Sequence, residues 1–287
     1  MSSADDQKPP SPCRVALLQM KSGIDPQQNM ETIRQALREA RDGGAFMLFT
    51  PEMALLLDRD RARSAAHLSR EEDCPYLAEL QKAARETGLW LHIGSAAFMA
   101  EDDPSKRVNR SLVIDNQGRI RARYDKMHLF DVDLSTGESW RESATYVGGS
   151  GPVAIKTPWA MVGLSICYDL RFPDLYAALT NAGATLLTIP AAFTVPTGEA
   201  HWHILQRARA IEASVFVVAA AQCGTHDDGR TTYGHSLVID PWGQVLLDMG
   251  REPGLGFANI DPSEITRVRN SVPALANRRP VGEVTIF

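Results

Sequence analysis

A cysteine that closes an apolar run and is followed at once by charged residues has the makings of a nucleophile. The chain supplies one where Met161-Val162-Gly163-Leu164-Ser165-Ile166 runs into Cys167, followed by Tyr168-Asp169-Leu170-Arg171-Phe172-Pro173-Asp174. A side chain at a strand-to-helix turn is held by rigid elements yet faces a cleft, which suits attack on a substrate. The same turn leaves backbone N–H groups free, that of Tyr168 foremost, where an oxyanion could be held. A lone cysteine is otherwise usually a buried structural residue. The three charges of Asp169, Arg171 and Asp174, directly after a core strand, set this one apart.

A thiol nucleophile needs a base and an electrostatic stabiliser. Histidine is the familiar base, and His128, His201, His203, His226 and His235 all qualify by type, with spacing excluding none. Glu52 has the better position, because it follows the apolar strand 46–49 just as Cys167 follows its own. In an open α/β sheet the carboxyl ends of strands line the ligand crevice, so the two are expected to converge from neighbouring strands. Shielding by Phe49, Pro51 and Met53 is expected to favour the neutral acid and raise the Glu52 pKa into a range useful for proton transfer. A plain surface carboxylate fits the position equally well. Lys126 also ends a strand, and an ammonium near a thiolate and a carboxylate would stay charged and stabilise an oxyanion. An exposed lysine beside Asp125 is the commoner arrangement. Asp131, Asp133, Ser135 and Glu142 fall at the spacing of a calcium loop, but the turn glycine is displaced to Gly137 and no helix flanks it, so calcium is rejected.

The elements that must carry these residues alternate. Strand 14–20, helix 29–41 with Met30, Ile33, Leu37 and Ala40 on one face, strand 45–49, helix 76–87 and strand 89–98 follow one another. That order is the pattern of a layered α/β protein. Asn116-Gln117-Gly118 joins strands 110–114 and 119–124 as a hairpin, and a polar loop at 131–151 is long enough to be functional. Further on come helix 174–181, strand 186–190, helix 199–213 and strand 215–221. A second hairpin, 237–239 with 245–247, turns at Asp240-Pro241-Trp242-Gly243, and strand 256–260 leads into a helix at Asp261-Pro262-Ser263-Glu264. No repeat or linker divides the chain, so residues 1–12 read as a flexible start and 13–287 as a single domain.

Composition narrows the class. The 287 residues are 44% hydrophobic and 23% charged with a net charge of −5, which fits a soluble globular protein and argues against a nucleic-acid partner. Arg59, Arg61 and Arg63 alternate with Asp58 and Asp60, a solvated face rather than a phosphate track. Cys13, Cys74, Cys167 and Cys223 lie far apart with no Cys-x-x-Cys, which points to a reducing compartment. With no signal peptide and no apolar run of membrane-spanning length, the chain reads as cytoplasmic, and the Asn109-Arg110-Ser111 sequon as idle.

Three segments, taken together, resemble a known family. Thr50-Pro51-Glu52, Tyr124-Asp125-Lys126-Met127-His128-Leu129-Phe130 and Ser165-Ile166-Cys167-Tyr168-Asp169-Leu170-Arg171-Phe172-Pro173 are similar, in order, to the signatures of the nitrilase superfamily of carbon–nitrogen hydrolases. The resemblance runs from about 14 to 280. It implies a four-layer αββα sandwich of α/β class, a homodimer or homotetramer, a small-molecule amide substrate, and a Glu–Lys–Cys triad with no cofactor and no metal. By position, Glu52 is the implied general base, Lys126 the oxyanion stabiliser and Cys167 the nucleophile. The supporting glutamate of the family falls on Glu142, with Glu138 as the alternative.

Within the superfamily, Phe130-Asp131-Val132-Asp133, Arg141-Glu142-Ser143, Ala200-His201-Trp202-His203, the segment 205–212 and Tyr233-Gly234-His235-Ser236 resemble the Nit amidases. Ala219-Ala220-Ala221-Gln222-Cys223-Gly224 with Asp240-Pro241-Trp242-Gly243 leans toward amidases of deaminated glutathione. ω-Amidases of 2-oxoglutaramate and 2-oxosuccinamate are the alternative, followed by another amidase or a carbamoylase of the superfamily. Such substrates carry carboxylates, so Arg171 is the expected anchor through its guanidinium fork, against an ion pair with Asp169 or Asp174. Tyr168, His128, Phe130, Phe193 and Thr194 are expected to line the substrate site.

Overall fold

The structure is a computed structural model that describes residues 12–133, 137 and 139–287. It opens with β1 (Cys13–Gln19), α1 (Pro26–Asp42), β2 (Met47–Phe49), α2 (Arg61–Ala65), α3 (Pro75–Thr87), β3 (Trp90–Met99), β4 (Arg107–Ile114) and β5 (Ile120–Asp125). A small hairpin follows, β6 (Asp131–Asp133) with β7 (Ser139–Arg141), then β8 (Val153–Lys156), β9 (Met161–Leu164) and α4 (Pro173–Asn181). The chain continues through β10 (Leu186–Thr188), α5 (Val195–Ala213), β11 (Phe216–Ala219), β12 (Cys223–Thr225) and β13 (Thr231–Tyr233). It closes with β14 (Leu237–Ile239), β15 (Val245–Asp248), β16 (Gly254–Ile260) and α6 (Ser263–Ser271).

Proline sets several helix starts, because its missing N–H is one the first turn leaves unpaired anyway. Pro26, Pro75 and Pro173 open α1, α3 and α4, and Pro196 lies in the first turn of α5. That proline explains why α5 starts at Val195, four residues before the expected 199. Asp25 caps α1 through the Gln27 N–H, and Gly88 ends α3 in the left-handed conformation.

Two six-stranded sheets form, in the orders β16-β1-β2-β3-β4-β5 and β15-β14-β11-β10-β9-β8. Side chains alternate between the faces of a strand, and on the central strands both faces are buried, each in its own core. On β1, Ala16 and Leu18 pack with Met30, Ile33 and Leu37 of α1, whereas Val15 and Leu17 turn inward to a core shared with Val162, Leu164 and Leu186 of the other sheet. Leu175 and Leu179 of α4 and Trp202 and Ala210 of α5 close the far side of that second sheet. Gly163 lets them in, since a Cβ there would sit 3.1 Å from Leu179 and 3.0 Å from Leu187. The result is the αββα sandwich expected from the family resemblance.

One expectation is overturned. Glu52 follows β2 and Cys167 follows β9, and these strands belong to different sheets. The two residues therefore meet across the sandwich rather than from neighbouring strands of one open sheet. Strand β8 and the two small hairpins are not legible in the sequence, because so few residues without a continuous apolar run carry no readable period.

Candidate active site

Cys167 begins a single 3₁₀ turn, Cys167–Arg171, and its φ of 51° puts a non-glycine residue in the left-handed region. Such backbone persists only where its surroundings hold it. Here the Cys167 N–H donates to the Pro190 carbonyl at 2.9 Å, and the Ile166 N–H donates to Asp169 Oδ2 at 2.9 Å. Asp169, fully buried, is gripped in turn by the Tyr124 hydroxyl at 2.6 Å and by the His128 N–H and Nδ1 at 3.1 and 2.6 Å. The elbow that carries the sulfur is thus braced by the chain leaving β5 of the opposite sheet. The Tyr168 N–H sits in the first turn, where a helical donor has no partner inside the turn.

Gly94 on β3 allows the two sheets to close at this point. A Cβ on it would lie 2.1 Å from the Thr50 carbonyl oxygen and 2.5 Å from both the Pro51 oxygen and Pro190 Cβ. Thr50 and Pro51 lead into Glu52, while Pro190 holds Cys167, so one missing methyl group serves both arms of the site.

Glu52 is 5% exposed and both of its carboxylate oxygens accept hydrogen bonds. Oε1 accepts from Lys126 Nζ at 2.9 Å and Asn109 Nδ2 at 3.0 Å, and Oε2 accepts from the Ala192 N–H at 2.9 Å. Lys126 Nζ also donates to both oxygens of Glu142, at 2.9 and 3.2 Å. The Phe130 N–H fixes Glu142 at 2.7 Å, and Asn109 Nδ2 reaches its other oxygen at 3.3 Å.

Burial pushes the Glu52 pKa up, but the Lys126 charge and hydrogen bonds from Cys167, Lys126 and Asn109 outweigh it and hold the carboxyl below its usual range. That corrects the expectation of a raised pKa, which counted the apolar neighbours and not the ammonium. Burial pulls Lys126 down, yet Glu142 and Glu52 together hold its pKa well above the ordinary lysine value. For Cys167, burial and the Glu52 charge push the thiol well up, with Lys126 opposing. The resting pair is a thiol hydrogen-bonded to an ionised carboxylate, beside a cation, an arrangement able to pass the sulfur proton to the carboxylate as a bond to carbon forms.

Arg171 has no carboxylate partner among the described residues, so neither Asp169 nor Asp174 takes it as an ion pair. Its guanidinium lies over the rings of Phe193 and Tyr168, 5.6 and 5.9 Å from their centroids, and reaches His201 Nδ1 at 3.4 Å. Phe130 meets Tyr168 edge-on at 5.0 Å. His128 is held by Asp169 and stacked on Phe172 at 3.6 Å, and the Thr194 hydroxyl pairs with Thr197 at 2.8 Å in the first turn of α5. Glu138 and Ser135 lie outside the described residues. Asp131 receives the Ser143 N–H at 3.0 Å and Asp133 pairs with Arg141 at 2.7 Å.

Three participants escaped the sequence reading. Asn109 is 1% exposed and touches both glutamates, so the sequon asparagine is buried in the site. Its parity with Val113, which faces the inter-sheet core, was the available signal. In sequence Asp169 reads as a charge and not as a brace, and the Ala192 N–H carries no side-chain signature.

An αββα sandwich that buries a thiol, an ammonium and a carboxylate at its centre, with a second, half-buried carboxylate beside them, defines a layered α/β hydrolase of the nitrilase type. The carbon-nitrogen hydrolase family pattern matches residues 14–270, and the chain belongs to that family. It is 42% identical over 269 residues to the deaminated glutathione amidase of Homo sapiens, covering 93% of this chain and 82% of that protein. The Caenorhabditis elegans NitFhit protein superposes with a TM-score of 0.86 at 36% identity, over 93% of this chain and 65% of that one. Saccharomyces cerevisiae Nit3, a member of branch 10 of the nitrilase superfamily, gives 0.83 at 26% identity, over 93% and 96%.

Proposed function

We propose that the chain is a cysteine-dependent amidase that hydrolyses deaminated glutathione to 2-oxoglutarate and cysteinylglycine. The observation that carries this is the Lys126 ammonium bridging Glu52 and Glu142 beside the Cys167 thiol. Glu52 takes the sulfur proton as the sulfur bonds to the amide carbon, and the oxyanion is met by Lys126 and the Tyr168 N–H. Glu52 returns the proton to the amine as the C–N bond breaks, leaving a thioester. Water, losing a proton to Glu52, adds to that thioester, and the acid departs with the sulfur reprotonated. Glu142 orients Lys126 throughout. Arg171, lacking a carboxylate partner among the described residues, is the anchor for the substrate carboxylate, with Phe193, Tyr168 and Phe130 as apolar walls.

Residues 13–287 act as one hydrolase unit, supported by a family match over 14–270. Four free, buried cysteines support a reducing, cytoplasmic setting, and no described helix is long and apolar enough to cross a membrane. An exposed apolar group of Ile204, Ile211, Trp242 and Leu246 supports a homo-oligomer. The test is side-by-side hydrolysis of deaminated glutathione and 2-oxoglutaramate by the wild type and by Cys167→Ala. The proposal expects the higher kcat/KM on deaminated glutathione and none in the variant. Preference for 2-oxoglutaramate would move the assignment to an ω-amidase, and turnover by Cys167→Ala would overturn the mechanism.

A further inference from the structure

A group of metal-competent side chains converges outside the catalytic cluster and shares no residue with it. His203 lies on α5, His235 follows β13 and Asp248 ends β15, so three separate elements contribute. Each carboxylate oxygen meets one imidazole, His203 Nε2 at 3.0 Å from Oδ2 and His235 Nδ1 at 2.8 Å from Oδ1. One donor atom from each of the three residues lies within 4.8 Å of the other two. We propose that His203, His235 and Asp248 form a site for a divalent transition-metal ion of the zinc class.

The donor set selects the ion. Two imidazoles and one carboxylate suit zinc, nickel or copper, whereas magnesium and calcium demand oxygen donors throughout. Three protein ligands leave positions for water, and side-chain exposures of 33%, 19% and 34% give that water access. Both ring centroids already stand 5.0 Å apart at 72° to each other, so two nitrogens can aim at one point without their rings colliding.

The surroundings hold the ligands in place, as outer contacts do for bound metals. The Gly250 N–H donates to Asp248 Oδ1 at 2.9 Å. The His235 ring is stacked on Tyr233 at 4.5 Å, and its backbone is pinned at both ends, its N–H to the Gly250 carbonyl at 2.6 Å and its carbonyl by Trp202 Nε1 at 2.7 Å. His235 takes a φ of 55°, left-handed for a residue with a side chain, which those contacts hold against its steric cost. The neighbouring Arg251 is paired with Glu199 at 2.9 Å, so its charge is already met. To accept the ion, each inward nitrogen gives up the proton it shares with Asp248, and each neutral imidazole takes one proton from water on its outward nitrogen, so the protons balance and the inward lone pairs are free. The ion would clamp α5 against the β14–β15 hairpin.

The site stands whatever the chain hydrolyses, and its test does not read activity. Zinc chloride is titrated calorimetrically into the full chain carrying Cys167→Ala, which removes the catalytic sulfur as a competing ligand. One equivalent should bind, magnesium chloride should give no heat, and His203→Ala or Asp248→Asn should weaken binding by at least the roughly 10- to 100-fold that loss of an outer contact alone costs. Should those variants fail to fold, copper(II) bound to the Cys167→Ala chain should show two imidazole nitrogens by electron paramagnetic resonance. No stoichiometric zinc, unchanged affinity in His203→Ala, or a copper signal without two nitrogens would each overturn the assignment.

Discussion

Asn109 directs one amide nitrogen at two carboxylates, and in doing so leaves its Oδ1 buried with no donor among the described residues. A buried acceptor left unpaired costs about 1–3 kcal/mol, so the orientation is held by the two glutamates and not by local comfort. Asn109→Asp is nearly isosteric but would set a third carboxylate against one ammonium. Glu52 acts as a base only when ionised, and its pKa is already below the usual range. In the wild type, kcat/KM should therefore hold as pH falls and drop only below about pH 4.3, the ordinary glutamate value. Asn109→Asp should move that acid limb upward and lower kcat by about 100-fold through misplaced groups, while a limb at the wild-type position would remove Asn109 from the site's electrostatics. Lys126→Met leaves the buried Glu52 and the half-buried Glu142 without a cation, a loss of roughly 3–5 kcal/mol at neutral pH. The sign with pH is fixed. The depressed Glu52 pKa stabilises the wild type above the unfolded value and is lost as pH falls through the folded one. In the variant the same carboxyl, now raised, destabilises until it protonates. Urea unfolding should show the gap between the two proteins narrowing from pH 7 to pH 5.

At the scale of elements, the site is two turns brought face to face. The Cys167 turn is left-handed at the cysteine, so the backbone there prefers glycine. Cys167→Gly and Cys167→Ala should both be inactive, yet the glycine variant should be the more stable by about 1 kcal/mol in urea, the reverse of their order in an ordinary strand or helix. Gly94→Ala drives a methyl into the Thr50 and Pro51 carbonyls and Pro190 together, so both arms must part. A loss of about 1–3 kcal/mol is expected from overpacking, with kcat falling although no reacting group has changed. What could be read from the chain divides along the same line. Proline-led helices, the hairpins at Gly118 and Gly243, and the strand ends bearing Glu52, Lys126 and Cys167 are local features, legible from neighbours in sequence. The meeting of Glu52 with Cys167 across two sheets, the Ala192 N–H and the Asn109 bridge depend on contacts between residues far apart in sequence, which no local period records. The direction of the Glu52 pKa shift is hidden from the local sequence for the same reason, since the decisive ammonium follows another strand.

At the scale of the molecule, neither sheet holds a complete site. The first carries Glu52, Asn109 and the strand leading to Lys126, the second the strands leading to Cys167 and Ala192, so the chemistry forms only when the sandwich closes. The same second sheet also supports the surface that bears on assembly. Ile204 and Ile211 sit seven residues apart on one face of α5 and are 70% and 49% exposed. Ile211 lies directly over the β14–β15 turn, where a Cβ on Gly243 would come within 2.6 Å of it, and the adjoining Trp242 is 56% exposed. A soluble chain rarely leaves such a group of large apolar side chains open to water without a partner. In a two-fold interface each substituted residue counts twice. Ile204→Glu with Ile211→Glu would then remove four apolar contacts at roughly 1.5–3 kcal/mol each, enough to separate the copies at micromolar concentration. Sedimentation should show the wild type as a dimer or larger and the double variant as a monomer that keeps its fold. A wild type that sediments as a monomer, or a double variant that stays associated, would leave this face of α5 without that role.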